Sequence, residues 1–298
     1  MIQFSIITPF YKGNRYVSNL LQMADKNAKS LQQAGMDASV ELIIVNDSPW
    51  EAVDILDGCD TASVKVINQE QNGGIHQARV TGLADCEGEY ILFLDQDDEI
   101  AEDCLLVEYN AIGNNDVVIA NAWFENPDGT KSAHYKTLGQ YQNAFDLSAY
   151  VKGHNRIISP GHCLIRKTAI PKEWTQYIMK DNGSDDLFLW VLMFLQNKKF
   201  VKVERPLYTH KYTGHNLSAE GVKMSQSTLE MASYLEQIEY VPKKIIDDIV
   251  RSRRMEIDVV NKNALGKLVA IIKNIDIYFF RIIWKLRGQI GKIQIQER

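Results

Sequence analysis

The chain has 298 residues, of which 45% are hydrophobic and 24% are charged, and its formal net charge is −5. This composition excludes disordered and fibrous proteins and allows one large domain, or one domain with an appendage, to bury a sizeable core. The four cysteines are scattered without a C-x-x-C pair, which argues against a zinc site or a disulfide framework and favours a reducing, cytoplasmic compartment. The amino-terminal segment is predicted to be a strand and not a secretory signal.

The charge is distributed unevenly along the chain. Residues 1–242 carry a net charge of −12, whereas residues 243–298 contain 13 Lys or Arg and 6 Asp or Glu, a balance of +7. An acidic body that binds a phosphate-bearing ligand needs a cation, and a basic tail favours an anionic surface as its partner. We predict no nucleic-acid partner.

Strand and helix patterns alternate over the first 120 residues. Apolar runs predict strands at residues 4–8, 40–45, 64–67, 90–94 and 117–120. Helical spacing predicts a first helix over 17–31, with Asn14 as its N-cap and Gly35 as its stop, and further helices at 75–84 and 102–112. Repeated strand–helix–strand units predict an α/β fold with a Rossmann-like, mostly parallel sheet that is flanked by helices.

The rest of the chain is less regular. Residues 122–160 contain a strong turn signal at 126–129 and are predicted to form an irregular excursion with a hairpin, on the far side of a cleft. A strand at 163–165, an apolar helix at 185–196 and a strand at 200–203 are predicted to follow. From residue 229 onward the chain is predicted to be mostly helical.

Side chains suited to a nucleotide follow the predicted strands. In an open parallel sheet, ligands bind beyond the carboxyl ends of the strands. The sequence offers there a ring for stacking, a carboxylate for a base or ribose, glycines that permit close backbone approach, and an arginine that neutralises phosphate or braces a carboxylate. These candidates for donor binding are Pro9, Tyr11, Asp47, Asn72, Gly74 and Arg79.

The fourth predicted strand ends in an acidic cluster formed by Asp95, Asp97 and Asp98, with Gln96 among them. Three carboxylates in four residues repel one another unless a cation or a basic side chain lies between them. Hard oxygen ligands favour Mg²⁺ or Mn²⁺, which can bridge to a diphosphate and stabilise its negative charge as it departs. The alternative is that Asp97 or Asp98 caps the helix that begins near Ala101.

A second acidic pair, Asp185 and Asp186, precedes an apolar helix. One of the two carboxylates is predicted to cap this helix, because aspartate is common at that position. The other is then available to take a proton from an acceptor hydroxyl, as a general base does.

Together these segments resemble the family 2 glycosyltransferases, whose fold is of the GT-A type. The resemblance covers about residues 2–220 and rests on residues 4–11, 45–48, 72–74, 78–79 and 94–98, in that order and spacing. It implies an inverting transfer of a sugar from a nucleoside-diphosphate sugar, with a UDP-sugar favoured, to a saccharide or lipid-linked hydroxyl acceptor. Synthesis of a bacterial-type surface polysaccharide or glycolipid is the implied context.

The resemblance also implies roles for particular residues. Asp47 is similar to the aspartate that binds the nucleobase, with Pro9 and Tyr11 beside it. Asp95 and Asp97 are similar to the two acids of the D-x-D motif, in which Asp95 contacts ribose or metal and Asp97 coordinates Mn²⁺ or Mg²⁺.

Near the acceptor, Asp186 is similar to the catalytic base, with Asp185 in place of the commoner glutamate. The segment 208–218 resembles one that folds over the diphosphate, where Lys211 replaces the usual arginine and His215 and Ser218 contribute. Separately, His162 precedes a predicted strand and is predicted to line the acceptor pocket.

We predict a GT-A catalytic domain over residues 1–220, with the nucleotide side at 1–120 and the acceptor side at 121–220, and a helical extension over 221–298. Within this extension, residues 264–284 are strongly apolar, and their few charges fall on one side of a helix. The segment is interrupted too often for a transmembrane span. It suits a helix in the interface of the inner membrane leaflet, through residues 264–295, or a helix packed on the catalytic domain or on another subunit.

The sequence is also compatible with two alternative functions. A haloacid-dehalogenase-like phosphatase also begins with an Asp-x-Asp after an apolar strand, although its motif lies on an early strand. A degenerate nucleotide-sugar-binding protein would keep the binding residues without transferring a sugar.

Overall fold

A mixed β-sheet forms the centre of the protein. We describe it from a computed structural model, which covers residues 1–55, 59–212 and 221–295. The nine strands found in these ranges are β1 (Ile2–Phe10), β2 (Ala38–Asn46), β3 (Ser63–Asn68), β4 (Tyr90–Phe93), β5 (Glu99–Ile100), β6 (Val117–Glu125), β7 (Lys131–Ala133), β8 (Cys163–Arg166) and β9 (Phe200–Lys211). Their order in the sheet is β3-β2-β1-β4-β8-β6-β9-β5, and β7 pairs with β6.

Most of the strands point in the same direction. β1 is parallel to β2 and β4, β2 is parallel to β3, and β6 is parallel to β9. β8 is antiparallel to its neighbours β4 and β6, and β5 is antiparallel to β9. The predicted mostly parallel α/β sheet is therefore confirmed, and the carboxyl ends of β1, β2 and β4 meet at one edge.

Helices cover both faces of the sheet. They are α1 (Val17–Gln33), α2 (Gly74–Asp85), α3 (Cys104–Ile112), α4 (Leu138–Ala144), α5 (Leu147–Lys152), α6 (Lys172–Gln176), α7 (Asp185–Leu195), α8 (Gly221–Leu235), α9 (Lys243–Asn261), α10 (Ala264–Lys273) and α11 (Ile275–Arg287). Successive side chains of a strand point to opposite faces, so β4 contributes Leu92 to one apolar core and Ile91 and Phe93 to the other.

The apolar core on one side extends into the carboxyl-terminal helices. Leu235 of α8 and Ile249 of α9 are almost fully buried in the same cluster as Trp190 of α7. The helical extension thus shares a core with the sheet, and the boundary predicted at residue 220 stays a prediction. No helix within the described ranges combines the length and the hydropathy needed to cross a bilayer.

Two local predictions need correction. Asn14 does not cap α1, because its side chain instead holds the loop after β2, donating to Ala52 O at 2.9 Å and accepting from Asp54 N at 3.0 Å. The segment 122–160 is more regular than predicted. β6 and β7 form the expected hairpin around the 126–129 turn, and α4 and α5 follow it.

Candidate active site

A cavity of about 1590 Å³ opens at the carboxyl ends of β1, β2 and β4. It continues past the start of α7 to an arm between α8, α9 and α11. Eleven residues singled out in the sequence line it, which are Pro9, Tyr11, Asp47, Asn72, Gly74, Arg79, Asp95, Gln96, Asp97, Asp185 and Asp186. Segments more than 170 residues apart in sequence are therefore brought to one site.

Asp47, at the end of β2, holds the loop that begins α2. Its carboxylate accepts hydrogen bonds from the backbone N–H groups of Gly73 at 2.6 Å and Gly74 at 2.9 Å, and from the Gln69 amide at 2.8 Å. Gly74 has a φ of +82°, and a Cβ there would lie 2.7 Å from the Asn182 side chain. The glycines thus let the loop close over the carboxylate at the wall of the cavity.

The three carboxylates of the acidic cluster after β4 lie in different surroundings. Asp98 is buried and accepts hydrogen bonds from the Tyr208 hydroxyl and from Lys211 N, and it pairs with His210 at 3.1 Å. It joins the end of β4 to β9 and does not cap a helix. The capping alternative is wrong for Asp97 as well, since Asp103 precedes α3.

Asp97 lies on the cavity wall, and no side chain in the described ranges hydrogen-bonds to its carboxylate. Burial, with added repulsion from Asp98 and Asp95, raises the pKa of Asp97 to about 6. A bound cation would relieve this accumulation of negative charge. The arrangement therefore fits a divalent metal ion.

The rest of the metal coordination would have to come from elsewhere. Within the described ranges no group of three or more His, Cys, Asp or Glu side chains converges on a ready metal site. Asp95 has one oxygen bonded to Arg79 and the other 3.1 Å from Ser159 Oγ. Mg²⁺ typically uses one or two carboxylates together with substrate phosphates, which fits Asp97, with Asp95 beside it, and a bound diphosphate.

Arg79 joins the two acidic clusters. From the second turn of α2, its guanidinium donates to Asp95 Oδ1 and to Asp185 Oδ2, both at 2.6 Å. The side chain is only 5% exposed, and the two carboxylates outweigh the cost of burial and raise the pKa of Arg79. Of the two roles predicted for this arginine, the structure shows the bracing of carboxylates.

The two aspartates at the start of α7 occupy different environments. Burial alone would raise the pKa of Asp185, but the charge of Arg79 outweighs it and holds that pKa below its usual value. Asp186 is half-buried, accepts a hydrogen bond from Asn155 Nδ2 at 2.7 Å and lines the cavity. Burial and then the charge of Asp185 raise the pKa of Asp186 to about 8. Ser184, not Asp185, stands at the N-cap position.

Three residues that sequence reasoning did not single out also shape the cavity: Trp50, Asn155 and Asn182. Trp50 is 62% exposed and meets the ring of Tyr11 edge to face, with 6.1 Å between centroids. Asn182 accepts a hydrogen bond from Ile75 N at 3.0 Å and so joins the start of α2 to the loop before α7. An aromatic side chain just after the Asp47 loop was a usable signal, whereas the two asparagines belong to no local motif.

Two predicted site residues within the described ranges, His162 and Lys211, do not line the cavity. His162 is fully buried, its Nδ1 lies 2.7 Å from Ala120 O, and its ring stacks on Tyr208. The prediction that it lines the acceptor pocket is wrong, because the short helical turn before β8 directs it into the core. Lys211 pairs with Glu99, and its role at the diphosphate stays a prediction. His215 and Ser218 lie outside the described residues.

Comparison with known proteins identifies the family. Residues 5–174 match the model of glycosyl transferase family 2, which is more than half of the chain. The chain belongs to glycosyl transferase family 2. The resemblance seen in the sequence is therefore confirmed, and the phosphatase alternative is wrong.

Known proteins are similar to the chain over part of their length. The minor teichoic acid biosynthesis protein GgaB of Bacillus subtilis is 27% identical over 228 residues, which cover 72% of this chain and 24% of GgaB. The chain spans less than half the length of the curated relatives it matches.

Solved structures of other proteins share the fold. TarS 1–349 of Staphylococcus aureus, in complex with UDP-GlcNAc, has a TM-score of 0.60 at 16% identity over 91% of this chain and 80% of TarS 1–349. The mannosyltransferase PcManGT of Pyrobaculum calidifontis, in complex with GDP-Man and Mn²⁺, has a TM-score of 0.52 at 11% identity over 96% and 83%. The predicted GT-A-like fold is thereby confirmed.

Proposed function

We propose that the chain is an inverting, metal-dependent glycosyltransferase that transfers a sugar from a nucleoside-diphosphate sugar, preferably a UDP-sugar, to a hydroxyl group. The observation that carries this proposal is the Asp95–Arg79–Asp185 bridge. It fixes the acidic cluster after β4 and the start of α7 on the wall of one cavity. A donor diphosphate and an acceptor hydroxyl can therefore be held next to each other.

The donor end is assigned to the strand-end loops. Asp47, the Asn72–Gly74 loop and the exposed rings of Tyr11 and Trp50 would bind the nucleoside. Gln96 donates to Tyr11 O at 3.1 Å and accepts from Tyr11 N at 2.9 Å, so the acidic loop and the aromatic loop are held together. The UDP-GlcNAc bound by TarS supports a UDP-sugar for this chain.

A divalent metal ion is the proposed cofactor. Asp97 would coordinate Mn²⁺ or Mg²⁺, with Asp95 beside it, and a GDP-Man and Mn²⁺ complex of PcManGT supports this choice. When bound, the metal supplies Lewis-acid stabilisation of the leaving diphosphate. The chain's own contribution is to hold Asp97 and Asp95 at the cavity wall, where Arg79 fixes Asp95.

Asp186 is the proposed general base. Its raised pKa gives its carboxylate a stronger affinity for a proton than an exposed aspartate has, which suits removal of a proton from a sugar hydroxyl. The deprotonated hydroxyl would attack the anomeric carbon opposite the leaving diphosphate, which gives inversion. Asn155 Nδ2 donates to Asp186 Oδ2 at 2.7 Å and Leu187 N donates to Asp186 Oδ1 at 2.6 Å, and together they fix the carboxylate at the cavity wall.

The acceptor stays open between a saccharide and a lipid-linked sugar, since the cavity arm has polar and apolar walls. The teichoic acid context of GgaB supports a role in bacterial surface polysaccharide or glycolipid synthesis. All four cysteines are free, which is compatible with the proposed cytoplasmic location.

Thermal shift with nucleoside diphosphates tests the donor and metal assignments. We expect UDP to raise the melting temperature of the wild-type chain only when Mn²⁺ is present. Asp97→Ala should lose this response and the transfer activity, with a fold nearly as stable as wild type, while the exposed Glu102→Gln control keeps both. An equal UDP shift without Mn²⁺, or full turnover by Asp97→Ala, would contradict the metal role. Binding without any donor hydrolysis or transfer by the wild-type chain would instead favour the degenerate binding protein.

A further inference from the structure

The last two helices expose their apolar side chains to solvent. Twelve of the nineteen exposed large apolar side chains in the described ranges lie between residues 260 and 290. Ten of them belong to α10 and α11, and they are Leu265, Leu268, Val269, Ile272, Ile275, Tyr278, Phe279, Ile282, Ile283 and Leu286. We call these ten residues the apolar ridge. Apolar surface that is concentrated to this degree in a folded protein marks an interaction site.

Two charged residues of α11, Arg281 and Asp276, bind neighbouring helices of the protein. Arg281 donates to Lys152 O at 2.8 Å and to Ser252 Oγ at 2.7 Å, and it pairs with Glu256 of α9 at 2.5 Å. Asp276 pairs with Arg251 of α9 at 2.5 Å. A helix on the surface of a protein in water normally exposes a polar side, whereas α11 exposes six large apolar side chains.

Packing holds α11 in this orientation. Ile277 and Trp284 are buried on its inner side, and Lys152 Nζ of α5 lies 5.2 Å from the centroid of the Phe280 ring. Asn143 of α4 donates to Trp284 O at 3.1 Å. The apolar ridge cannot therefore turn inward without breaking these contacts together with the Arg281 pair.

The ridge is surrounded by positive charge. Residues 262–292 contain seven Lys or Arg and one Asp. Four of these lysines are exposed and form no ion pair within the described ranges, namely Lys267, Lys273, Lys285 and Lys292. Basic residues beside exposed Phe, Tyr and Leu side chains are typical of helices that lie in the surface of an anionic bilayer.

The ridge is continuous with the cavity. Tyr278 and Ile282 belong to the ridge and also line the cavity arm, next to Ile271 and Lys285. The same arm leads to Asp186. A partner that covers the ridge would thus lie at the mouth of the acceptor side.

We propose that α10 and α11 dock the protein on the surface of an anionic lipid bilayer, with the apolar ridge among the acyl chains and the exposed lysines at the headgroups. The charge of this region favours an anionic surface over a second copy of the chain, because two copies of a +6 region would repel each other. Given the proposed function, this places the acceptor arm beside the membrane, so that an acceptor anchored in the bilayer can enter it.

Vesicle co-sedimentation of the full chain tests the docking. We expect binding to vesicles of phosphatidylcholine with 30% phosphatidylglycerol and at least tenfold weaker binding to pure phosphatidylcholine. The double variant Phe279→Ser/Ile283→Ser should lose binding, whereas Tyr240→Ser, an exposed aromatic far from the ridge in sequence, should bind as wild type. The single variants Lys267→Gln and Lys273→Gln should each weaken vesicle binding roughly fivefold.

A fluorescent label locates the contact. In a Cys59→Ser background, an environment-sensitive dye on Ile283→Cys should shift to the blue with anionic vesicles, and the same dye on Tyr240→Cys should not. Equal shifts at both positions, or no binding to anionic vesicles, would overturn the proposal. A dimer by light scattering that the Phe279→Ser/Ile283→Ser variant abolishes, without vesicle binding, would overturn it in favour of a second copy.

The two proposals fail separately. Vesicle binding needs neither Mn²⁺ nor a nucleotide, so a chain that binds vesicles but never hydrolyses a UDP-sugar would contradict only the proposed function. A chain that hydrolyses the donor and ignores the vesicles would contradict only the docking.

Discussion

The two ends of the cavity are built in different ways. At the proposed donor end, Tyr11, Asp47 and Asp95 each lie within two residues of the end of a strand of the sheet. At the acceptor end, the walls come from the loop before α7 and from α8, α9 and α11, which pack together only in the folded chain. The proposed donor end can therefore be predicted from local sequence, whereas the proposed acceptor end depends on tertiary packing.

Arg79 is the point at which the two ends meet. It stands on a helix of the donor side, yet one of its two ion pairs is with Asp185 on the acceptor side, 106 residues later in the chain. Three kinds of variant test whether the two ends act separately: variants at the donor end, variants at the acceptor end, and variants of the Arg79 bridge between them.

The largest effect is expected from Asp186→Asn, which acts at the acceptor end alone. Loss of a general base lowers turnover roughly 10²- to 10⁴-fold. UDP binding with Mn²⁺ should be nearly unchanged, because the hydrogen bonds of Asp186 within the described ranges are to Asn155 and Leu187 and not to the strand-end loops. Steady-state transfer rates and thermal shift with UDP measure the two properties. If UDP affinity falls together with the rate, the two ends are not separable.

Next in size is the bridge variant Arg79→Met. It leaves the buried Asp185 without its partner, and breaking a buried ion pair typically costs about 3–5 kcal/mol of unfolding free energy. Chemical denaturation should show this loss, and Asp185→Asn/Arg79→Met should recover part of it because the uncompensated charge is gone. If Arg79→Met is as stable as wild type, Asp185 is better hydrated than the structure shows.

The sequence predicted the donor end of the cavity better than the acceptor end. The sequence predicted the strands at 40–45 and 90–94 because a buried parallel strand is a short apolar run. It also predicted the acidic residues after them, because ligand-binding side chains follow the carboxyl ends of parallel strands. The acidic pair Asp185 and Asp186 was visible in the sequence before an apolar helix, family likeness selected Asp186 as the proposed base, and both residues line the cavity.

What the sequence could not predict depends on contacts between distant segments. Asn155 reaches Asp186 from 31 residues away, and no local pattern marks it. His162 was misplaced because a histidine before a strand has the same local pattern whether it points into a pocket or into the core. The orientation of α11 was equally hidden, since an apolar stripe does not say whether it faces the protein or the surroundings.

A smaller expected effect is a difference in pH dependence between sugar transfer and UDP binding. The proposed general base acts only when ionised, and burial together with the charge of Asp185 raises the pKa of Asp186 to about 8. The transfer kcat/KM should therefore increase about tenfold per pH unit below that value and level off above it. UDP binding at saturating Mn²⁺ should lack this step near pH 8.

Asn155→Ala sharpens the pH test. Removal of the hydrogen bond that the Asn155 amide donates to the Asp186 carboxylate favours the protonated form, so the alkaline step should move to higher pH while the maximal rate falls only modestly. An unchanged step in this variant would show that another group titrates there.

The smallest effect is expected at the rim of the donor end, from Trp50→Ala. The indole is 62% exposed and meets Tyr11 only edge to face, so it forms part of a stacking surface and not a closed pocket. Loss of one stacking ring typically costs about 1–3 kcal/mol, and the low end, roughly fivefold in UDP affinity, suits a ring this exposed. Trp50→Phe should retain most of the affinity because it keeps a flat apolar ring. Calorimetry with UDP and Mn²⁺ measures both variants, and since Trp50 lies far from Asp186 in the chain, the rate at saturating donor should stay at the wild-type value. A fall in that rate with unchanged UDP affinity would place Trp50 on the acceptor path and erase the distinction between the two ends.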